Sequence, residues 1–166
     1  MRLSLYAALL CFMVPAIAYA DGCAIEKSSF IDPDEAYILK FKEMGAFDPD
    51  SNVSLKFDLI VKGTKLVLDG EVSIPREVSR TEGRITYQCP KGAEGDALAA
   101  CTIWEGTMLS ADREGNISVL PPEGGDHAPQ LLLPGLGRAI RMSAVWGDKK
   151  ASVAPWDVFA YKACGK

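Results

Sequence analysis

The sequence holds a single histidine, His127, among 166 residues. A charge-relay triad or a histidine-rich metal site has only that imidazole to draw on. No Cys-x-x-Cys pair is present, which argues against a thioredoxin-like redox pair and against a zinc knuckle. There is no Gly-x-Ser-x-Gly elbow, and no glycine-rich loop ends in Gly-Lys-Ser/Thr. Positive charge is not in excess. The 18 basic and 22 acidic residues leave a formal net charge of −4, which disfavours a general nucleic-acid binder. Internal repeats and low-complexity tracts are absent, so a solenoid or collagen-like chain is not indicated. Beyond residue 20, no apolar run is long enough for a membrane-spanning helix.

What is present begins with an export signal. Arg2 supplies a positive start, Leu3 to Val14 is apolar, Pro15 breaks the run, and Ala18-Tyr19-Ala20 offers small residues to a signal peptidase. An uncleaved anchor is the alternative. Cys11 sits inside the apolar stretch, preceded by Leu9-Leu10, and is no lipid-attachment site. The expected organisation is a signal peptide over residues 1–20, cleaved after Ala20, and one β-rich globular domain over residues 21–166. No membrane span is expected after cleavage. The expected location is exported, either periplasmic or secreted.

Four cysteines remain after cleavage: Cys23, Cys89, Cys101 and Cys164. An even number in an exported chain reads as two disulfides. Three pairings are possible. Cys89 with Cys101 is preferred because it closes a short loop between two strand-like segments. Cys23 with Cys164 would then tie the chain ends, where fraying starts. Each bond would be worth ~2–4 kcal/mol in the chain-entropy model.

The strongest local pattern is a hairpin. Leu55, Phe57, Leu59 and Val61 alternate with Lys56, Asp58, Ile60 and Lys62. Gly63-Thr64 suits a two-residue turn with glycine first. Leu66, Leu68, Val72 and Ile74 line one face of the returning strand, with a bulge expected at Gly70. Further strands are predicted over residues 84–89, 101–109, 117–120, 138–146 and 158–164. The acid–proline run Asp32-Pro33-Asp34-Glu35 predicts a short helix through Met44, capped by Gly45. An edge strand over residues 36–44 is the alternative. Asp21 to Phe30 reads as loop. The glycines from Gly92 to Gly95 read as a flexible loop held at its base by Cys89 and Cys101. The fold class predicted is all-β: one antiparallel sandwich, or a small meander barrel, of seven to eight strands with two disulfides.

Candidate chemistry is sparse. His127 lies beside Glu123 and Asp126 in a proline–glycine loop, and a solvated side chain is the simpler reading. The acids Asp32, Asp34 and Glu35, Asp48 and Asp50, and Glu123 and Asp126 could pair for glycoside hydrolysis, but loops and helix starts explain them. A calcium loop beginning at Asp48 would need Gly where Val53 stands and Glu where Leu59 stands. One beginning at Asp112 reaches Glu123 but has Ile117 at the glycine position. No metal ligand set, no cofactor and no catalytic residue is assigned.

The segment from Gln130 to Gly137 places Leu131, Leu132, Leu133 and Leu136 among prolines and glycines. That composition does not suit a central strand. The leucines either cover an open end of the core or offer an apolar surface to a partner. Trp104, Trp146 and Trp156 either fill the core or line a ligand-holding mouth. The leading expectation is a non-catalytic protein-binding domain, an inhibitor or envelope accessory protein, engaging another envelope or secreted protein. The alternatives are a β-barrel for a small-molecule ligand and a carboxylate-based hydrolase.

Overall fold

Alternation of apolar and charged side chains builds most of one sheet. The computed structural model describes residues 22–44, 52–74, 80–148 and 150–165. The predicted signal peptide, Cys11, Asp48 and Asp50 lie outside these residues. Among the described residues the strands are β1 (Ser28–Ile31), β2 (Tyr37–Lys42), β3 (Val53–Val61), β4 (Val67–Ser73) and β5 (Glu82–Thr86). They continue with β6 (Thr102–Thr107), β7 (Leu109–Ala111), β8 (Ile117–Val119), β9 (Gln130–Leu132) and β10 (Val158–Cys164). Two short helices, α1 (Gly95–Cys101) and α2 (Leu136–Arg141), complete the regular structure after a 3-10 turn at Ile25–Lys27.

The sheet is antiparallel, in the order β6-β5-β4-β3-β2-β1-β10-β9-β7-β8, and curls into a half-barrel. The all-β class is as predicted, whereas the sandwich is not: ten strands form a single sheet. Strands β1 to β6 form a meander, each paired with the next, where a meander was expected only from β3 onward. The chain ends then close on each other, with β10 pairing against β1.

The inner face is filled. Phe30, Tyr37, Leu39, Phe57, Leu59, Leu68, Ile85, Leu131 and Phe159 are all fully buried there. Phe41 packs edge-on against Phe30 and Phe57, with ring centroids 6.0 and 5.7 Å apart. Helix α2 adds Leu136 and Ile140 to the same cluster. This burial is the main source of stability.

Cys23 joins Cys164, and Cys89 joins Cys101, with Cα separations of 5.8 and 5.3 Å. The first bond ties the chain on either side of the β1–β10 pair. The second spans the loop that carries α1.

Several sequence expectations are corrected. The stretch predicted as a helix or edge strand is strand β2, central between β1 and β3. Asp32 acts as a cap, but of a turn: its Oδ1 accepts the Tyr37 amide at 2.8 Å, and Glu35 N–H donates to the Asp32 carbonyl at 2.9 Å. Glu35 takes a left-handed φ of 53°, which reverses the chain before a helix can start. The residues read as leading loop include β1, too short and serine-rich to show a pattern. The predicted flexible loop before Cys101 contains α1, formed from the helix-favouring Asp-Ala-Leu-Ala-Ala run.

The predicted strand over residues 138–146 is α2 followed by turns. Its apparent alternation is false, because Ile140 is buried while Met142 is 75% exposed. Leu136 and Ile140, four apart, share the buried helical face instead. The predicted strand through residue 109 divides at Met108 into β6 and β7. Ile74 is exposed rather than inward.

At the best-predicted hairpin, the loop is four residues long. Val61 N–H donates to the Leu66 carbonyl, and Gly63, with φ 76°, stands third in the Val61–Thr64 turn. Gly70 is not a bulge. It pairs in register with Phe57 and Ile85, and the irregularity in this pair lies at Val53–Leu55. Glycine is needed because a Cβ there would lie 2.2 Å from the Phe57 ring.

The two ends of the sheet are one piece of chain. Strand β6 ends the order on one side, and β7, one residue further along the sequence, pairs with β9 and β8 on the other. Met108 spans this seam and Thr81 clamps it. Met108 N–H donates to the Thr81 carbonyl at 3.0 Å, and the buried Thr81 hydroxyl donates to the Met108 carbonyl. Leu120 N–H reaches the same hydroxyl at 3.5 Å.

Two substitutions test these close contacts. Gly70→Ala should cost ~1–3 kcal/mol in urea denaturation, because the added methyl overpacks the Phe57 ring. A smaller side chain, Phe57→Leu, should relieve part of that loss in the double variant. Thr81→Val should lower stability by ~1–3 kcal/mol, since it leaves a buried carbonyl unpaired at the seam. An unchanged midpoint would count against the clamp.

Candidate functional site

The outer face of the sheet carries the most coherent exposed feature. Residues in register across neighbouring strands point to the same side. Following that register, Val67, Ile60, Ile38 and Ile31 form a row across β4, β3, β2 and β1. The row continues through Ala160, Gln130, Ala111 and Ile117 on β10, β9, β7 and β8. Gln130 is its only polar member. A second, shorter row runs through Val158, Leu132, Leu109 and Val119.

These rows meet at β8, the end of the sheet. A tight turn delivers that strand. Asp112 N–H donates to the Asn116 carbonyl at 3.1 Å, and Gly115 takes a φ of 86°. The Asp112 carboxylate accepts the amides of Glu114 at 3.0 Å and Asn116 at 2.8 Å, and the Asn116 side chain at 2.7 Å. Hydrogen bonds from Asn116 hold its pKa below the usual carboxylate value. The carboxylate suggested as the start of a calcium loop thus serves its own turn.

Two serines fix the facing of β8. The Ser110 and Ser118 hydroxyls are 2.9 Å apart, and Ser110 is buried. Ser118 lies on the Ser110 side of the strand, yet all three β8 residues are exposed, with Ile117 61% and Val119 47% accessible on the other side. β8 pairs with β7 on one side and has no strand on its other side among the described residues.

Two clefts lie along the row. One, about 440 Å³, is walled by Ala111, Val119, Leu120, Pro121, Pro122 and Pro129, with Ser110, Ser118, Asp112 and Asp126 also lining it. The other, about 320 Å³, is walled by Ile31, Pro33, Val158 and Ala160, with Asp32, Glu35 and Gln130. At the second cleft the Asp32 Oδ2 is buried without a hydrogen-bond partner. The Tyr37 hydroxyl donates to the Val153 carbonyl at 2.6 Å. Burial, reinforced by the nearby Asp32 charge, pushes its pKa up to about 12.

The residues singled out from sequence are dispersed. Leu131, Leu133 and Leu136 are fully buried, so they belong to the core and are not offered to a partner. Leu131 is buried because β9 lies between β10 and β7, a central position that the flanking prolines concealed, and Leu136 is buried on the core face of α2. Leu132 alone faces outward, half-buried in the second row. Trp104 is buried against Gly83 and Gly106, with its Nε1 donating to the Pro134 carbonyl at 3.0 Å. Trp146 is half-buried, with the Arg141 guanidinium 5.4 Å from its ring centroid. Trp156 is 54% exposed, and its Nε1 donates to Asp34 at 2.8 Å. No tryptophan lines either cleft, and the filled inner face supplies no mouth for them to share.

His127 is held structurally. Its ring stacks on Tyr161 at 3.7 Å, and its backbone N–H donates to the Cys23 carbonyl at 2.9 Å. Asp34 and Glu35 are engaged by Trp156 and Lys62. Among the described residues no cluster of three His, Cys, Asp or Glu side chains could hold a metal ion.

The outer row was partly visible beforehand. Ile38 and Ile60 both fall on the charged side of their alternation, an anomaly shared by two strands. Their alignment with Ile31 and Ile117 was not visible, because register is tertiary information. The chain matches no protein-family model, no curated protein and no solved structure.

Tyr37 gives the site a pH signature. Its phenol holds its proton to about 12 in the folded state against an ordinary value of 10.0. A raised folded pKa contributes stability that is complete below 10.0 and lost as pH rises through about 12. The wild type should therefore lose stability more steeply than Tyr37→Phe across that window, measured by urea midpoints at each pH. Parallel curves would remove the linkage.

Proposed function

We propose that this protein is an exported, non-catalytic binding domain that engages a protein partner through the β8 edge and the adjoining apolar row. The observation that carries this reading is a sheet-end strand whose two large apolar side chains, Ile117 and Val119, are 61% and 47% exposed. An open edge offers backbone hydrogen bonds to an added strand, and the flanking cleft offers a pocket for its alternate side chains. Exposed apolar surface at such an edge carries an aggregation hazard, which a resident partner removes.

Export is supported by the two cysteine pairs, which suit an oxidising compartment, and by the signal-like residues 1–20. Among the described residues no helix is long and apolar enough to cross a membrane. The small-ligand reading draws no support from the inner face, where the side chains pack against one another.

The test is a photo-crosslinking residue placed at Ile117, and separately at Lys91 as a remote control, in cells that make and export the protein. The expected result is a discrete heterologous adduct from position 117, absent from position 91 and abolished by Val119→Lys. Equal labelling from both positions, or an adduct that survives Val119→Lys, would overturn the edge as the binding surface.

A further inference from the structure

The end of the half-barrel closed by α2 differs in charge from the rest of the chain. From Leu136 to Ala151 the sequence carries four basic residues and one acidic residue, in a chain whose net charge is −4. Helix α2 turns Leu136 and Ile140 into the core, which leaves Arg138 and Arg141 facing solvent. Met142 follows them at 75% exposure, the highest among the exposed large apolar side chains. The Arg141 guanidinium lies over the half-buried Trp146 ring, 5.4 Å from its centroid. The exposed Lys150 ammonium reaches the Ala144 carbonyl at 2.9 Å.

Among the described residues, Arg138, Arg141 and Lys150 have no ion-pair partner; on the sheet Lys42, Lys62 and Arg84 have one, and Lys40, Lys56 and Lys162 do not. The nearby Asp157 is committed elsewhere: its carboxylate accepts the amides of Gly135 at 2.8 Å and Gly137 at 3.3 Å.

From this cluster we infer that the α2 end docks the protein on an anionic phospholipid surface. Charge complementarity identifies the occupant. Unpaired arginines and a lysine are drawn to anionic headgroups, each adding to the attraction near the surface. The apolar component favours a bilayer over a folded acidic partner. Met142, 75% exposed, can enter the headgroup–acyl boundary. An indole beside a guanidinium suits the same depth. The contact is peripheral, uses residues separate from the β8 edge, and leaves that edge free for a protein.

The test is co-sedimentation of the exported, oxidised protein with vesicles of equal parts phosphatidylglycerol and phosphatidylcholine, against pure phosphatidylcholine vesicles. Binding is expected to the anionic vesicles alone and to weaken with added salt. The double variant Arg138→Glu/Arg141→Glu should bind at least about tenfold more weakly. Met142→Asp should weaken binding to a smaller degree, and Lys65→Glu, a cation elsewhere, should leave it unchanged. Lys150→Glu gives a second charge reversal should the double variant fail to fold, which far-ultraviolet dichroism reports. Absence of binding to anionic vesicles, or equal loss in Lys65→Glu, would overturn the proposal. Equally tight binding of soluble polyglutamate, unaffected by Met142→Asp, would also overturn it and assign the cluster to an acidic polypeptide.

Discussion

The seam at Met108 governs the rest of the molecule. A ten-strand open sheet would leave two long edges and a core uncovered at both ends. Here the chain leaves β6 on one edge and, one residue later, begins β7 on the far side. The two edges must therefore approach, and the sheet must curl. Thr81 extends the β5–β6 ladder to Met108 with one backbone and one hydroxyl bond, and its hydroxyl also accepts from the Leu120 amide just after β8. Curling encloses the inner side chains, and α2 then covers the opening with Leu136 and Ile140. The Cys23–Cys164 bond secures the chain termini beside β1 and β10. Each of these features depends on the strands wrapping far enough to meet.

The same wrapping produces the candidate interface. β8 cannot join the inner meander, because the wrapped chain has already placed β9 against β7. It is left as a flap on the last strand, oriented by the Ser110–Ser118 pair. Its apolar residues extend a row that begins on β4, on the opposite side of the sheet order. The surface is thus assembled from eight strands, and no local stretch contains more than a fraction of it. The α2 end is different in kind. It is local in sequence, cationic, and exposed because only one side of a short helix fits the core opening.

Legibility followed the range of the interactions involved. The β3–β4 hairpin was readable because its two faces differ sharply, Leu55 to Val61 against Lys56 to Lys62. Strand β2 was misread because Asp32-Pro33 is compatible with both a helix start and a turn. The left-handed Glu35 and the Asp32–Tyr37 bond decide between them. Over residues 138–146 an alternating pattern coincided with a helical one, and burial of Ile140 beside exposed Met142 resolved it. The Leu131–Leu136 run left core cover and surface both open, because prolines bracket it. Leu131 is core because β10 and β7 flank β9, a fact about distant residues, while Leu132 on the same strand faces out. For the candidate site, the anomalous Ile38 and Ile60 were the one visible sign, while β8 gave no sign of standing at an edge.

By itself the sequence determined that the chain would be mostly β, that β3 and β4 would form a hairpin, and that four cysteines could form two pairs. Those are consequences of alternation, turn residues and counting, all of them local or additive. Tertiary structure decided the division at Met108, the helix at α2, the burial of the leucines and the exposure of Ile117 and Val119. The physical reason is that alternation distinguishes the two faces of a strand without stating what covers either one. Cover is supplied by segments far along the chain, and they take their places only when the sheet closes around its core.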